Sequence, residues 1–393
     1  MNNLRAFQQM AATPTRTVNC EAAARGSCPP LILHIFPSFG IGGAQMRFVT
    51  LATHFGRNYR HAVVSMSGDQ QANGLLPPDL EVTYPAISGR KGETIANVRH
   101  FRRVLRALAP DVLVTHNWGS IEWAMANAVP IVRHIHIEDG FGREEQDCQI
   151  TRRVLTRRIF LRQSTVVLPS RCLHRIATDV WRLPRRRVHY IPNGVALRAF
   201  TVKQDPSAIP ARQTVIGTVA GLRAEKNVAR LMQAFALVAA EHPAKLVIAG
   251  DGPERAELER IAAQLGVADK VCFLGHVKQP QHLYAGFDIF ALSSDTEQMP
   301  LCILEAMAAG LPIVSTDVGD VAEMVAPENR LHIRPREPAA LAGSMLQLLR
   351  EPTARQHLGT ANRRKVEREY SQEAMFQAYA ALFSGTPRES KAA

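Results

Sequence analysis

No apolar run in the 393 residues approaches the roughly 20 that a bilayer-spanning helix needs; the longest, such as LILHIF at 31–36, have strand length. A helical integral membrane protein is therefore not expected. Cysteine is sparse: Cys20, Cys28, Cys148, Cys172, Cys272 and Cys302 stand far apart with no CxxC pair. That excludes a zinc module and a disulfide-stapled small domain, and predicts a reducing compartment. No Gly-x-Gly-x-x-Gly is present, which argues against dinucleotide binding. The first 28 residues hold Arg5, Arg16 and Arg25 against Glu21 but no apolar core, so no secretory signal is read there. Residues 1–28 are expected to be a disordered leader, residues 386–393 a disordered tail, and the protein cytoplasmic.

What is present is enough apolar residue, 46%, for folding, in a chain too long for one ordinary core. Two domains follow. Acidic residues are in deficit, and unevenly so: residues 1–200 carry 26 Lys+Arg against 13 Asp+Glu, and residues 201–393 carry 21 against 22. A basic N-terminal half suits an anionic membrane, a phosphorylated acceptor, nucleic acid or a merely solvated face.

From residue 31 short apolar runs alternate with longer amphipathic stretches, the pattern of a parallel sheet covered by helices. LILHIF (31–36), HAVVSM (61–66), DVLVTH (111–116), PIVRHIHI (130–137) and STVVLPS (164–170) are predicted strands. NVRHFRRVLRAL (97–108) is a predicted helix, with Val98, Phe101, Val104, Leu105 and Leu108 on one face. The alternation restarts with TVIGTVA (214–220), AKLVIAG (244–250), KVCFLG (270–275), FDIFALSS (287–294) and LPIVSTD (311–317), a second sheet. The Pro- and Gly-bearing stretch between them reads as a linker. The predicted boundaries are 29–200 for the first domain, 201–212 for the linker, 213–365 for the second domain and 366–385 for a C-terminal helix.

SSDTEQMPLCILEAMAAGLPIVSTDVGD (293–320) follows a predicted strand and sets Glu297 and Glu305 either side of a Met-Pro turn. With Pro300 at the first helical position, the amides of Met299, Leu301 and Cys302 would face outward from a positive helix end, a cradle for a diphosphate. Glu-x7-Glu followed by AMAAGLPIVST resembles the signature of retaining glycosyltransferase family 4. The resemblance implies an α/β fold of the GT-B type, two Rossmann-like domains facing a central cleft, over about residues 30–385. It implies that Glu297 contacts the donor sugar and Glu305 the ribose, with Gln298, where the family usually has Gly, Met299, Pro300 and Leu301 lining the donor site.

The same resemblance extends to other loops. TVAGLRAEKNVARLMQAF (218–235) matches the family's cationic turn at Lys226, with Arg223 standing in for an arginine whose slot holds Gly221; such cations would neutralise a leaving diphosphate without metal. AGDGPE (249–254) and FLGHV (273–277) end strands, so Gly250, Asp251 and Gly252 would allow close approach of the donor, and His276 and Val277 would face its base. FPSFGIGGAQMRF (36–48) resembles the loop that closes over the donor phosphates, through Gly42, Gly43 and Gln45, the last replacing a glutamate.

His116, Asn117, His134, His136, Glu138 and Asp139 gather at the ends of two predicted strands. No metal is expected, because spacing fixes no further ligand and the Asp-x-Asp motif of metal-dependent transferases is lacking. The family offers a histidine near this place for the reacting sugar, and His136 and Asp139 both compete for that catalytic slot beside Glu297. His116, Asn117 and Glu138 are acceptor-side candidates. TRRVLTRRIFLRQ (151–163) and WRLPRRR (181–187) fit a membrane-surface helix, a solvated basic flank or a site for acceptor phosphate.

The resemblance implies a nucleotide-sugar donor, UDP- or GDP-linked, as substrate with no cofactor, and a glycan or lipid-linked acceptor. It also implies cytoplasmic hexosyl transfer in cell-surface polysaccharide or glycolipid synthesis. Peripheral contact with an anionic membrane fits the charge, and no nucleic acid is expected. The rival readings are a nucleotide-sugar epimerase and a polyanion-binding protein.

Overall fold

The computed structural model describes residues 28–145, 148–200 and 214–385. The expected leader, linker and tail lie almost wholly outside the described residues. Two all-parallel sheets are present. The first runs β3-β2-β1-β4-β5-β6-β7, built from Leu31–Phe36 (β1), Arg60–Ser65 (β2), Val82–Thr83 (β3), Val112–His116 (β4), Arg133–Ile137 (β5), Thr165–Leu168 (β6) and Val188–Tyr190 (β7). The second runs β10-β9-β8-β11-β12-β13, from Thr214–Val219 (β8), Ala244–Ala249 (β9), Val271–Gly275 (β10), Ile289–Leu292 (β11), Ile313–Thr316 (β12) and Ile333–Arg334 (β13). Both sheets reverse strand order beside their first strand, which is the Rossmann arrangement. Ten strands match the predicted apolar runs. The edge strands β3, β7 and β13 were not predicted, since two or three residues carry no period.

Near-continuous burial of β1, β4, β9, β11 and β12 explains their largely apolar runs, because helices cover both faces of a parallel sheet. Helix Thr94–Leu108 buries Phe101 and Leu105 as its period requires, while Leu108 ends up 37% exposed at the last turn.

The C-terminal helix, Gln372–Ser384, belongs to the first sheet rather than the second. Its Met375, Ala378, Tyr379 and Phe383 pack with Ile32, Leu51, Phe55, Val112 and Val167. The chain therefore crosses between the domains twice, and the crossings touch: Val195 N donates to Tyr370 O (3.0 Å) and Gln372 N to Val195 O (3.2 Å).

Candidate active site

Each sheet's switch point lies between its first strand and the strand beside it, where the following loops diverge and leave a crevice. In the second domain those loops follow β8 and β11, and they carry Lys226 and Glu297. Lys226 Nζ lies 2.5 Å from Glu297 Oε1, which also accepts a 2.8 Å hydrogen bond from Ser294 Oγ. The loops are tied together beneath this pair. Asn227, at φ +43, caps helix Val228–Glu241 through Arg230 N, and its amide donates to Asp295 Oδ2 at 3.0 Å. Arg230 meets Asp295 Oδ1 at 2.7 Å and Ser293 O at 2.8 Å.

Pro300 is the N-cap of helix Leu301–Ala308 rather than its first residue, because its ψ of 124° is extended. Ile303 N bonds to Pro300 O at 3.2 Å, so the amides of Leu301 and Cys302 precede the first intrahelical bond. One turn in, Glu305 is half-buried and accepts 2.6 Å from the Tyr284 hydroxyl. Burial pushes the Glu305 carboxyl up to about 7, against the opposing pull of the Tyr284 hydrogen bond. Arg223 is exposed and paired with Glu225 at 2.9 Å, away from Glu297.

Gly250 is required by the chain itself. A Cβ there would stand 1.8 Å from Ala220 O, and one on Gly252 would stand 2.4 Å from Leu222 O. These glycines let the loops after β8 and β9 touch. Asp251 is exposed, its Oδ1 taking the Gly252 amide at 2.7 Å. His276 is exposed just past β10 and Val277 half-buried beside it.

Two residues of the Glu297 loop reach the other domain: Gln298 Oε1 accepts from Ser170 Oγ at 3.4 Å and Met299 O accepts from Asn193 Nδ2 at 3.1 Å. Within its own domain, Gln298 O accepts from Asp320 N at 3.0 Å. The Asp320 carboxylate in turn takes the amides of Arg171 and Cys172 in the first domain. Gly319, at φ +54, comes so close that a Cβ would stand 2.2 Å from Glu297 O.

In the first domain, helix Gly43–Phe55 starts after Gly42 with no acidic residue in its first turn. Gln45 folds back and donates to Ser38 O at 2.6 Å, bracing the loop itself. Arg47, on the same helix, is buried; it forks onto Asp139 at 2.5 and 2.8 Å and donates to Asn193 Oδ1 at 3.1 Å. Burial opposes the Arg47 charge and Asp139 more than offsets it, so the guanidinium stays protonated. Asn117, at φ +55, accepts the Asp139 amide at 2.7 Å. Asp139, Arg47, Asn193 and Met299 thereby form one chain of polar contacts from the first domain's strand ends to the loop that leads into helix Leu301–Ala308.

The histidines do not share this position. His136 is 0% exposed, with Nδ1 on Thr115 Oγ1 at 2.8 Å and Nε2 on Glu138 at 3.4 Å, so neither nitrogen faces the cleft. Of the two contenders for the catalytic slot, the structure leaves Asp139 at the edge and seals His136. Glu138, also 0% exposed, is held by Arg157 Nε at 3.3 Å and is a core group rather than an acceptor contact. His116 is likewise corrected: it stacks on Phe36 at 3.8 Å inside the sheet. Burial holds His116 and His34 well below the usual histidine range, with neighbouring histidines adding to this, and brings His134 down to about 3.

Arg47, Asn193, Tyr284, Gly319 and Asp320 are site residues that sequence reasoning missed. The Asn193-Gly194 and Gly319-Asp320 dipeptides, each next to a predicted strand or linker, were the available signal.

The model for "Glycosyltransferase Family 4" matches residues 41–198 and that for "Glycosyl transferases group 1" residues 200–365. N-acetyl-alpha-D-glucosaminyl L-malate synthase of Bacillus anthracis is 28% identical over 49% of this chain and 51% of its own. The GDP-mannose-dependent monoacylated alpha-(1-6)-phosphatidylinositol monomannoside mannosyltransferase of Corynebacterium glutamicum is 30% identical over 51% of this chain and 56% of its own. The chain spans about half the length of these curated relatives. Among solved structures, Anabaena Alr3699/HepE in complex with UDP and glucose superposes with TM-score 0.75 at 18% identity, covering 91% of this chain and 100% of that one. That likeness is one of fold, the GT-B pair of Rossmann-like domains. Between them the two family models take in all but one residue from 41 to 365, and the chain belongs to glycosyltransferase family 4.

Proposed function

We propose that the protein is a retaining hexosyltransferase moving a sugar from a UDP- or GDP-linked donor to a glycan or lipid-linked acceptor in cell-surface polysaccharide or glycolipid synthesis. The observation that carries this reading is the Lys226–Glu297 pair, 2.5 Å apart at the second sheet's switch point, on the loop that leads into helix Leu301–Ala308. When the bond from the anomeric carbon to the diphosphate breaks, charge collects on phosphate oxygens. Lys226 and the free amides of Leu301 and Cys302 would receive that charge. Glu297 would accept from sugar hydroxyls and Glu305 from the ribose.

Retention follows if the acceptor hydroxyl attacks from the face the diphosphate leaves. The acceptor oxygen bonds to the anomeric carbon, the carbon–phosphate-oxygen bond breaks, and the hydroxyl proton passes to the departing diphosphate. No side chain is then obliged to act as base, and the step is expected to need no metal. Similarity to a GDP-mannose-dependent lipid mannosyltransferase and to a UDP- and glucose-bound structure supports the donor and acceptor classes. A cytoplasmic place at the inner membrane face suits a lipid-linked acceptor, and among the described residues no helix is long and apolar enough to cross a membrane.

Thermal melting with UDP, GDP, ADP and their sugars tests the donor site. One nucleotide at a hundred times its Kd is expected to stabilise the fold by about 2.7 kcal/mol, and Glu305→Ala to abolish the shift. Melting that no nucleotide moves would overturn the reading. Donor consumed without acceptor would instead favour an epimerase.

A further inference from the structure

Helix Thr151–Phe160 is inverted relative to an ordinary surface helix. Its inward face carries Arg157, fully buried, and its outward face carries Leu155 and Ile159, 55% and 54% exposed. The inward arginine has a physical account. Arg157 forks onto Glu145 at 3.0 and 3.0 Å and lies over the rings of Trp118, Phe141 and Trp181 at 4.9, 5.2 and 4.9 Å. Among the described residues, the two outward aliphatics keep more than half of their surface exposed.

Their neighbours on that face are cations. Arg152, Leu155, Arg158, Ile159 and Arg162 recur at three- and four-residue spacing and are all exposed. Residues 151–200 contain twelve arginines and one acidic residue, Asp179. Helix Ile121–Ala126 touches both this helix and Thr94–Leu108, so the three form one layer on the sheet. That layer and the loop beside it add Ile95, Val129 and Ile131, 69%, 70% and 39% exposed, with Arg103 and Arg106 also outward. Among the described residues, ten of the twelve exposed large apolar side chains lie in the first domain.

We propose that this helical layer docks on an anionic lipid surface, with Leu155 and Ile159 entering the interface and Arg152, Arg158 and Arg162 meeting lipid phosphates. Aliphatics ringed by guanidinium groups match a boundary that is apolar below and anionic above. A solvated basic face would have no use for the aliphatics, and a nucleic acid would meet the arginines but not Leu155 and Ile159. The docking is independent of the donor reading, since none of these residues touches Lys226, Glu297 or Glu305.

The test is co-sedimentation of the full chain with phosphatidylcholine vesicles, with and without about 30% phosphatidylglycerol. Binding to the anionic vesicles alone is expected, weakened about fivefold by each of Arg158→Gln and Arg162→Gln. Leu155→Glu is expected to weaken it at least as much, and Leu237→Glu, on the other domain, to leave it unchanged. Melting temperature and nucleotide binding of all four variants should match the parent, so loss of docking and loss of the donor site are separable. Absence of binding, or equal binding to neutral vesicles, would overturn the proposal. So would a concentration-dependent dimer, measured by light scattering, that Leu155→Glu dissociates, because the face would then belong to a second copy.

Discussion

Arg157 with Glu138 and Glu145 in the first domain, and Lys226 with Glu297 in the second, are both cation–carboxylate groups within hydrogen-bond reach. The first is 0% exposed on every member, whereas the Lys226 and Glu297 side chains keep 18% and 10%. A sealed group cannot exchange its partners for a ligand, so its charges serve the fold; removing the arginine leaves buried carboxylate charge short of its counter-ion. A pair at the rim of a crevice can exchange its partner for a ligand. The difference therefore separates groups that hold the structure from groups that can do chemistry, although in sequence both are charged residues near strand ends.

The sharpest way to break that comparison is Arg157→Ala. It strips the buried Glu138 of its cation and leaves Glu145 with Arg153 alone, and the denaturant midpoint should report a loss of about 3–5 kcal/mol. Lys226→Ala should do the reverse, lowering kcat by roughly 100- to 1,000-fold while melting shifts little. If Lys226→Ala unfolded the protein and left turnover intact, the two pairs would have been assigned the wrong way round.

Glu305 offers a graded effect. Its carboxyl is raised to about 7 by burial, so the stability it contributes is full below its unfolded value and is lost as pH rises through 7. Only the ionised form accepts two ribose hydrogen bonds, so nucleotide affinity should rise about tenfold from pH 6 to pH 8. Tyr284→Phe removes the hydrogen bond that favours ionisation and should move that midpoint further alkaline, as titration calorimetry would show. On the acid side the signs reverse. His34, His116 and His134 are depressed by burial, so the stability they contribute is present above their unfolded value near 6.5 and is lost as pH falls. The smallest effect belongs to Arg223→Ala, an exposed cation beside Glu225, which should change melting by less than about 0.5 kcal/mol and turnover far less than Lys226→Ala.

The second domain was the more legible. Its strands, Lys226, Glu297 and Glu305 stand where the motifs put them, with Pro300 one position off, because local spacing across one strand and one helix sets their geometry. The first domain misled at His116, His136 and Glu138. A polar residue at a strand end looks alike in sequence whether it faces a cleft or the core, and here Thr115, Phe36 and Arg157 drew the three inward. Nothing in the run 151–163 sets Arg157 apart, whether as membrane-surface helix, solvated flank or phosphate site, since a run of arginines does not say which one finds buried carboxylates.

By itself the sequence determined the alternation of strands and helices, the division into two sheets and the spacing of the carboxylates about Pro300, all of which depend on residues close in the chain. Tertiary structure alone decided that helix Gln372–Ser384 returns to the first sheet, that Asp320 takes the amides of Arg171 and Cys172, and that Arg47 links Asp139 to Asn193. Periodicity records which face of an element is buried. What buries it, from 92 or 148 residues away, is set by the packing of the whole chain.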